Sequence, residues 1–563
     1  MQPRINPLKD RSWTTDLIGL MVIFLFFYLF CLGSYPLFTP DEGRYSEVAR
    51  EMVMSGDYIT PRVNGVAFLD KPILYYWLQA AAILLFGIKE WALRLFPALL
   101  GILGCLMTYV AGRRLFDRKT GVISALILAT SPLYFGGAHY ANLDLEVAVF
   151  ISCTLLCFIT GVQSHGRTRS AFLLAAYFFS ALAVLTKGLI GIAFPSLIAG
   201  SWLLWQRRLA LLKNIHIFTG VLLFIILVLP WYILVQKANP EFLHFFFVTQ
   251  HVTRFLSTAE FNNKTTVWFY APIILAGFFP WTIFLIQSIA KQIKERHPVG
   301  IYLLLWVGII TTFFSIPHSK LIGYILPIFP ALALLTGKFI ADAWHKANNS
   351  YTSLSIILWL IFSLVFLTAV LMLPRFPQLN VQAAAMPYLL AMAGISTLSA
   401  LTAIGMARYR QFLPLFLLCL LSSTLCLATL IVAANSLNRN TAKPLIMQLQ
   451  TRLKPDDEVV NYFKFYQDTP IYLQRRITLV ANWQSPKIAE TDNWVRELWY
   501  GMAFQHTDDW LVNEKIFWQR WNSKKRLFVF VNDNYMQQFL QHTKKYFKLG
   551  QHNDIILLSN QPV

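Results

Sequence analysis

The chain has 563 residues, 56% of them hydrophobic and only 13% charged, with a formal net charge of +20. Soluble domains carry roughly 25% charged residues, so a soluble protein is excluded for most of this length. The surplus Lys and Arg fall in connectors between apolar runs, which points to membrane topology and anionic lipid rather than to nucleic acid.

Taken in chain order, the apolar runs predict about thirteen spans, at 15–34, 92–112, 121–138, 147–163, 171–187, 189–205, 215–235, 266–288, 300–317, 321–337, 351–373, 387–405 and 412–434. The first run is too long for a signal-peptide core and has no small-residue cleavage site after it, so it is expected to stay as a helix. Connectors carrying Arg113, Arg114, Arg118 and Lys119, or Arg207, Arg208 and Lys213, alternate with connectors poor in Lys and Arg. The alternation works only if the apolar segment 71–87 does not cross. That segment is therefore expected to be interfacial or re-entrant within a first external loop, 35–91. The N-terminus is then inside and the C-terminal part outside. All six cysteines (Cys31, Cys105, Cys153, Cys157, Cys419, Cys426) lie in apolar runs, which predicts buried free thiols.

After residue 434 the charge density becomes that of a soluble protein, so a membrane domain, 1–434, is expected to precede a soluble domain, 435–563. Strand-like runs at Val459–Tyr462, Ile471–Leu473, Ile477–Val480, Leu527–Val531 and Ile555–Leu558, with a helix-like stretch at 534–547, predict a small α/β domain.

Ionisable residues at the edges of apolar runs are costly unless paired or facing a cavity, and so mark candidate sites. Residues 41–54 have helical spacing, with Tyr45, Val48, Ala49 and Met52 on one face. Asp41 has two readings. Thr39-Pro40-Asp41-Glu42 fits a capping box, with Thr39 as N-cap, Pro40 at N1 and Glu42 at N3; alternatively Asp41 carries chemistry. Lys71, beside Asp70, is either an interface anchor or a phosphate ligand. Asp144 either favours a helix dipole or is catalytic. His251 and Arg254 are one helical turn apart among phenylalanines, and the planar fork of an arginine suits a phosphate. His251 with Asp70 makes at most a partial metal site, because no HxxxH or HExxH spacing supports it. Lys187 and Lys320 bound apolar spans on the same face, and Tyr324 is expected to share the Lys320 side of its helix.

The Asp41-Glu42-Gly43-Arg44-Tyr45 start, the SGDYITPRVNG stretch, Asp70-Lys71-Pro72, Thr186-Lys187-Gly188, QHVTRF and SKLIGYILPIFPALALLTG together resemble the bacterial aminoarabinose lipid A transferases. These belong to the GT-C class of polyprenyl-phosphate-sugar-dependent membrane glycosyltransferases. The resemblance covers nearly all of the membrane domain. It implies a polytopic α-helical GT-C fold in a Gram-negative inner membrane, with the C-terminal domain periplasmic. It also implies an undecaprenyl phosphate donor carrying 4-amino-4-deoxy-L-arabinose, and a lipid A phosphate as acceptor. Asp41 and Asp144 match the family's acidic catalytic positions. Lys71 and Arg254 match positions expected to hold the carrier phosphate, with Arg44, Tyr45, Lys187 and Tyr324 completing the expected substrate-binding set. The family commonly has Glu where this chain has Asp70, one methylene shorter. The sequence demands no cofactor; a divalent metal such as zinc at Asp70 and His251 is the one candidate.

Three rival readings remain at this stage, the weakest being a structural or assembly membrane protein whose external domain recruits partners, which leaves Asp41, Lys71, Asp144 and Arg254 without a role. A related transferase with another sugar or a protein or glycan acceptor fits the same residues. A lipid-linked-sugar transporter would show inverted repeats and midplane charges, whereas here the charges gather at one face and no repeat is present.

Overall fold

The computed structural model describes residues 11–253, 265–344, 349–376, 381–406, 412–491 and 493–562. The chain divides into two compact units. The first comprises Met1–Leu32, Arg94–Pro230 and Thr265–Ala434, and the second Gly33–Leu93, Trp231–Lys264 and Asn435–Val563.

The first unit is built of long apolar helices. Among the described residues ten helices are long and apolar enough to cross a membrane, or twelve when each of two bent pairs counts as one span. All thirteen expected runs are helical, and the bent pairs explain two of them. Arg118–Ala129 turns by 66° into Pro132–Ala138, and Val267–Gly277 turns by 112° into Thr282–Glu295. Pro132 and Pro280 lie at these breaks, where a missing backbone N–H and a fixed φ interrupt a helix. The thirteenth run, Ile190–Trp205, has 16 residues and falls short of a full crossing. Leu143–Val162 is the central helix, with 94% of its apolar window buried, whereas Tyr351–Arg375 and Ala383–Met406 are each 22% buried. These helices are apolar all round, so composition alone does not tell a protein-facing from a lipid-facing side. The cysteines show the consequence. Cys105, Cys153, Cys157 and Cys419 are buried, but Cys31 is exposed and Cys426 half-buried, which corrects the expectation for those two; all six thiols stay outside disulfides.

The second unit carries the short helix Leu74–Phe86, whose 13 residues are too few to span. Helix Asp41–Ser55 precedes it, and a two-residue hairpin, β1 (Arg62–Val63) and β2 (Val66–Ala67), lies between them. The hairpin turn is Asn64-Gly65, with φ of 50° and 79°, the positive pair that a type I′ turn requires. Asn64 is fully buried. Its side chain donates to the Ile477 carbonyl at 3.0 Å and accepts the Ile477 N–H at 2.9 Å, so the Asn-Gly motif anchors the hairpin to the strand region that follows. Helix Asp41–Ser55 buries Tyr45, Val48, Ala49 and Met52 as its spacing predicts, but it also buries Glu47 and Arg50. Arg50 donates to both Glu47 carboxylate oxygens at 2.7 and 2.6 Å.

The capping expectation is corrected in part. Pro40, not Thr39, occupies the N-cap position, and no side chain caps the helix there. The Thr39 hydroxyl donates instead to the Asn440 carbonyl at 2.9 Å. Glu42 does reach back, accepting the Phe38 N–H at 2.8 Å.

The C-terminal portion holds a six-stranded sheet in the order β5-β4-β3-β6-β8-β7. Its strands are β3 (Glu458–Tyr462), β4 (Thr478–Val480), β5 (Leu511–Val512), β6 (Leu527–Asn532), β7 (Phe547–His552) and β8 (Ile555–Ser559). Strands β3–β6 pair in parallel, and β8 runs antiparallel to both β6 and β7. Central strands β3, β6 and β8 are buried along their whole length, hence the uninterrupted Leu-Phe-Val-Phe-Val of β6. Two expectations are corrected here. Ile471–Leu473 is the end of a helix, Thr469–Leu473, because Pro470 at its first turn has the φ a helix start needs. The stretch 534–547 is helical only to His542 (Asp533–His542); Phe547 already belongs to edge strand β7, where pairing to β8 overrides helical periodicity.

Candidate functional site

Among the described residues, each unit holds a charged cluster that includes expected site residues. In the second unit the Asp-Glu-Gly-Arg-Tyr motif opens helix Asp41–Ser55. Gly43 is required by packing: a Cβ there would lie 2.6 Å from the backbone carbon of Gln467. This close approach brings the first turn of the helix against the C-terminal portion. Arg44, one residue on, is bound at both ends of its fork. Nη2 donates to Asp41 Oδ1 at 2.6 Å and Nη1 to Glu497 Oε1 at 2.5 Å. Its guanidinium carbon lies 5.0 Å from the Tyr45 ring centroid and 5.8 Å from that of Phe68. Burial opposes the charge on Arg44, but Glu497, Tyr45 and Asp41 outweigh it and keep the group protonated. Arg44 is thus a clamp on two carboxylates, which leaves little of its fork for a phosphate.

Tyr45 packs on Tyr75 and Tyr76, with ring centroids 5.8 and 6.1 Å away. Tyr76 is fully buried, and its hydroxyl has no hydrogen-bond partner among the described residues. Burial, with Tyr45 beside it, pushes that hydroxyl far up against the relief given by Arg44, and Asp70 and Glu497 add to the push. The Lys71 ammonium donates to the Asp70 carbonyl at 3.1 Å. Sequence reasoning missed Glu497. It lies in the first turn of helix Trp494–Met502, whose N-cap Asn493 accepts the Val495 N–H at 3.0 Å. An acidic residue at that place in a helix reads as an ordinary dipole partner, so no sequence signal singles it out. Burial, partly offset by Arg44 and reinforced by Asp70 and Asp41, lifts the Glu497 carboxyl above its ordinary range.

In the first unit Asp144 sits at the start of helix Leu143–Val162, its own N–H capped by Asn142 Oδ1 at 2.9 Å. Its carboxylate accepts from the Lys187 ammonium. Lys187 is the last residue of helix Gly166–Lys187, and its ammonium lies 4.4 Å from the Tyr324 ring centroid. Gly323 makes room for this arrangement, since a Cβ there would lie 2.3 Å from Asp144 Oδ2. Two residues further along the same helix, fully buried Glu146 accepts from the Thr186 hydroxyl at 3.3 Å. Tyr324 therefore serves Lys187, not Lys320. Lys320 precedes the 3₁₀ helix Ile322–Ile328, whose three-residue turns separate positions four apart, and it donates to the Thr265 hydroxyl and carbonyl at 3.2 and 3.3 Å.

Arg254 lies outside the described residues, as does the side chain of His251. Among the described residues no group of three or more His, Cys, Asp or Glu is placed to hold a metal ion.

A bundle of long apolar helices with bent and short elements, joined to an α/β portion and carrying carboxylate–cation clusters at helix ends, defines the GT-C class of membrane glycosyltransferases. Residues 70–234 match the family described as dolichyl-phosphate-mannose-protein mannosyltransferase. The structure is similar over 98% of both chains, at a TM-score of 0.83 and 25% identity, to the crystal structure of ArnT from Cupriavidus metallidurans bound to undecaprenyl phosphate. An undecaprenyl phosphate-alpha-4-amino-4-deoxy-L-arabinose arabinosyl transferase of Aeromonas salmonicida (strain A449) is 31% identical over 66% of this chain and 67% of its own length. A relative of the same description from Pseudomonas fluorescens (strain Pf0-1) is 30% identical, over 63% of each chain. The alignments to the first curated relatives span 63%, 62% and 66% of their lengths. The chain belongs to the undecaprenyl phosphate-alpha-4-amino-4-deoxy-L-arabinose arabinosyl transferase family.

Proposed function

We propose that this protein is an enzyme of the bacterial inner membrane. It moves 4-amino-4-deoxy-L-arabinose from undecaprenyl phosphate to a phosphate of lipid A at the periplasmic face. The observation that carries this reading is the likeness along the full chain, at a TM-score of 0.83, to a transferase structure bound to undecaprenyl phosphate. Residues 1–434 form the transmembrane transferase domain in this reading, and 435–563 the periplasmic one.

The reaction is a single displacement with inversion. The bond between the sugar anomeric carbon and the carrier phosphate oxygen breaks, and a bond to an acceptor phosphate oxygen forms. Undecaprenyl phosphate leaves with the bonding pair. The acceptor is already ionised near neutral pH, so no strong general base is required. Negative charge grows on the leaving phosphate and positive charge on the sugar ring. Lys71, Arg254 and Lys187 stabilise the first. Asp41 and Asp144 stabilise the second, as carboxylates do around oxocarbenium-like states. The capping at Asn142 and the packing at Gly323 fix the Asp144 carboxylate before substrate arrives, and Tyr324 supports Lys187 through its ring face.

The test uses purified protein and an Asp41→Asn variant, each given undecaprenyl phosphate-aminoarabinose and lipid A, with lipid A read by mass. A gain of one aminoarabinose, lost in the folded variant, supports both the reaction and the role of Asp41. A gain that survives the substitution keeps the reaction and returns Asp41 to holding Arg44. No gain with either protein overturns the reading in favour of another sugar or acceptor.

A further inference from the structure

The cations expected at the cytoplasmic face fall into two kinds. Some meet a carboxylate: Asp16 holds Arg113 at 2.8 Å and Arg118 at 2.6 Å, and Asp342 holds Lys291 and Lys338, each at 2.5 Å. Another group does not. Arg167, Arg169, Arg207, Arg208 and Lys213 stand in a stretch, 147–240, that contains no Asp or Glu, and among the described residues none of the five makes an ion pair. Arg169 is the extreme case. Its Nε and Nη2 are closed off from solvent and have no hydrogen-bond partner among the described residues. It lies in the first turn of helix Gly166–Lys187, which holds no acidic residue and is capped by no side chain. Arg167 and Arg169 there oppose the positive end of the helix dipole, so the guanidinium and the helix end both favour an anion.

Beside this end lies an apolar cavity of about 490 Å³, a size that takes small ligands. Every residue lining it belongs to the first unit. Leu173, Ala176, Tyr177 and Ser180 line it from helix Gly166–Lys187, at spacings that put them on the same face as Arg169. Helices Leu143–Val162, Ile190–Trp205 and Ile217–Ala238 supply the other walls. Leu212 and Ile215 close it from the connector that carries Arg208 and Lys213. The Ser170 hydroxyl lies 3.0 Å from His216 Nε2, which ties that connector to the Arg169 end of the helix. The Thr154 and Ser180 hydroxyls on the wall donate to the Phe150 and Gly191 carbonyls, each at 2.9 Å, so they ask nothing of a ligand. Gly200, also on the wall, faces open space: a Cβ there would meet nothing within 4 Å.

We propose that this is a binding site for an anionic glycerophospholipid of the cytoplasmic leaflet, with one acyl chain in the cavity and the phosphodiester on Arg169. Charge decides the occupant. A zwitterionic headgroup carries a cation of its own into a group of five, whereas an anionic one brings only the phosphate, whose oxygens suit the planar fork of an arginine. A free phosphate makes no use of the cavity, and an uncharged chain makes none of Arg169. The cavity lies toward the end of helix Gly166–Lys187 opposite Lys187, so this lipid is separate from the sugar carrier, and the inference does not depend on the transferase reading. Helices Leu143–Val162 and Gly166–Lys187 both line the cavity and carry Asp144 and Lys187 at their far ends. The lipid thus braces the two helices that form that ion pair.

The test is native mass spectrometry of the full-length protein, delipidated in detergent and titrated with phosphatidylglycerol or with phosphatidylcholine of the same acyl chains. The expected result is one tightly held phosphatidylglycerol per protein, at roughly tenfold higher affinity than phosphatidylcholine, the scale of a charge-assisted hydrogen bond. Arg169→Gln should bring that ratio close to one. Gly200→Leu should fill the cavity and weaken both lipids alike, by roughly tenfold, with the ratio kept. Equal affinities in the unsubstituted protein, or a ratio unchanged in Arg169→Gln, overturn the proposal. Phosphatidylglycerol binding that Gly200→Leu leaves untouched reports attraction to surface cations alone and overturns it as well. If thermal unfolding in detergent shows that Arg169→Gln does not fold, the unsubstituted protein and Gly200→Leu decide. A preference for phosphatidylglycerol together with weakening by the filled cavity supports the proposal, and the lack of either overturns it.

Discussion

The two charged clusters are built by different means. In the membrane unit, Asp144 lies in the first turn of one long helix and Lys187 is the last residue of another, and their pairing follows from where those helices begin and end. Both were visible as charges at the edges of apolar runs. In the second unit, Glu497 lies more than 450 positions from Asp41 and Arg44, and the three meet because Gly43 lets a helix approach the backbone at Gln467. Only the near half of that cluster was visible. A bilayer makes isolated charges conspicuous; a water-exposed domain hides them among ordinary surface residues.

This contrast can be pressed experimentally. The largest expected effect concerns the buried pair beneath the second cluster. Arg50→Met leaves Glu47, which has no exposed surface, without its bidentate partner, and a loss of about 3–5 kcal/mol is expected. Thermal unfolding in detergent should show the second unit melting early or failing to fold. An unchanged melting profile would mean that Glu47 is held protonated and needs no partner.

Next in size is the ion pair of the membrane unit. Asp144→Asn should reduce transfer by about a hundredfold, the scale of losing one preorganised charge, with little change in melting. Lys187→Met should lower transfer as well; if Asp144→Asn alone is silent, the pair is an anchor and the second unit carries the chemistry.

The smallest effect is one of pH. Asp468 is fully buried in the second unit and accepts from the Thr441 hydroxyl at 2.8 Å and the Ala442 N–H at 2.9 Å. Burial, only partly offset by those two bonds, pushes its carboxyl up to about 7. Its folded value lies above its unfolded value near 4, so the folded state holds the proton more tightly. The stabilisation is therefore complete below about pH 4 and declines as pH rises toward 7. The second unit should melt at a lower temperature at pH 8 than at pH 5.5, and Asp468→Asn should flatten that slope.

The membrane helices were legible because crossing hydrocarbon demands about twenty apolar residues, and the positive-inside bias then orients them. Helix Asp41–Ser55 was legible because its apolar positions recur at helical spacing. Its cap was misread: the Thr-Pro-Asp-Glu pattern fits a box, but the Thr39 hydroxyl finds the Asn440 carbonyl, some 400 positions away, instead. In the C-terminal domain a three-residue apolar run, Ile471–Leu473, was too short to tell strand from helix. The end of helix Asp533–His542 was set by the pairing of β7 with β8, which local periodicity does not encode.

By itself the sequence determined that this is a polytopic membrane protein with a C-terminal α/β portion, and it marked Asp41, Lys71, Asp144 and Lys187 as residues to watch. Those conclusions rest on local quantities: length of apolar runs, spacing, and charge at their edges. Tertiary structure alone decided that Tyr324 lies under Lys187, that Gly323 makes room for Asp144, and that Arg44 is held between Asp41 and Glu497. Each of these is a meeting of segments distant in sequence, and hydrogen-bond and van der Waals forces act over a few ångströms of space regardless of how much chain lies between.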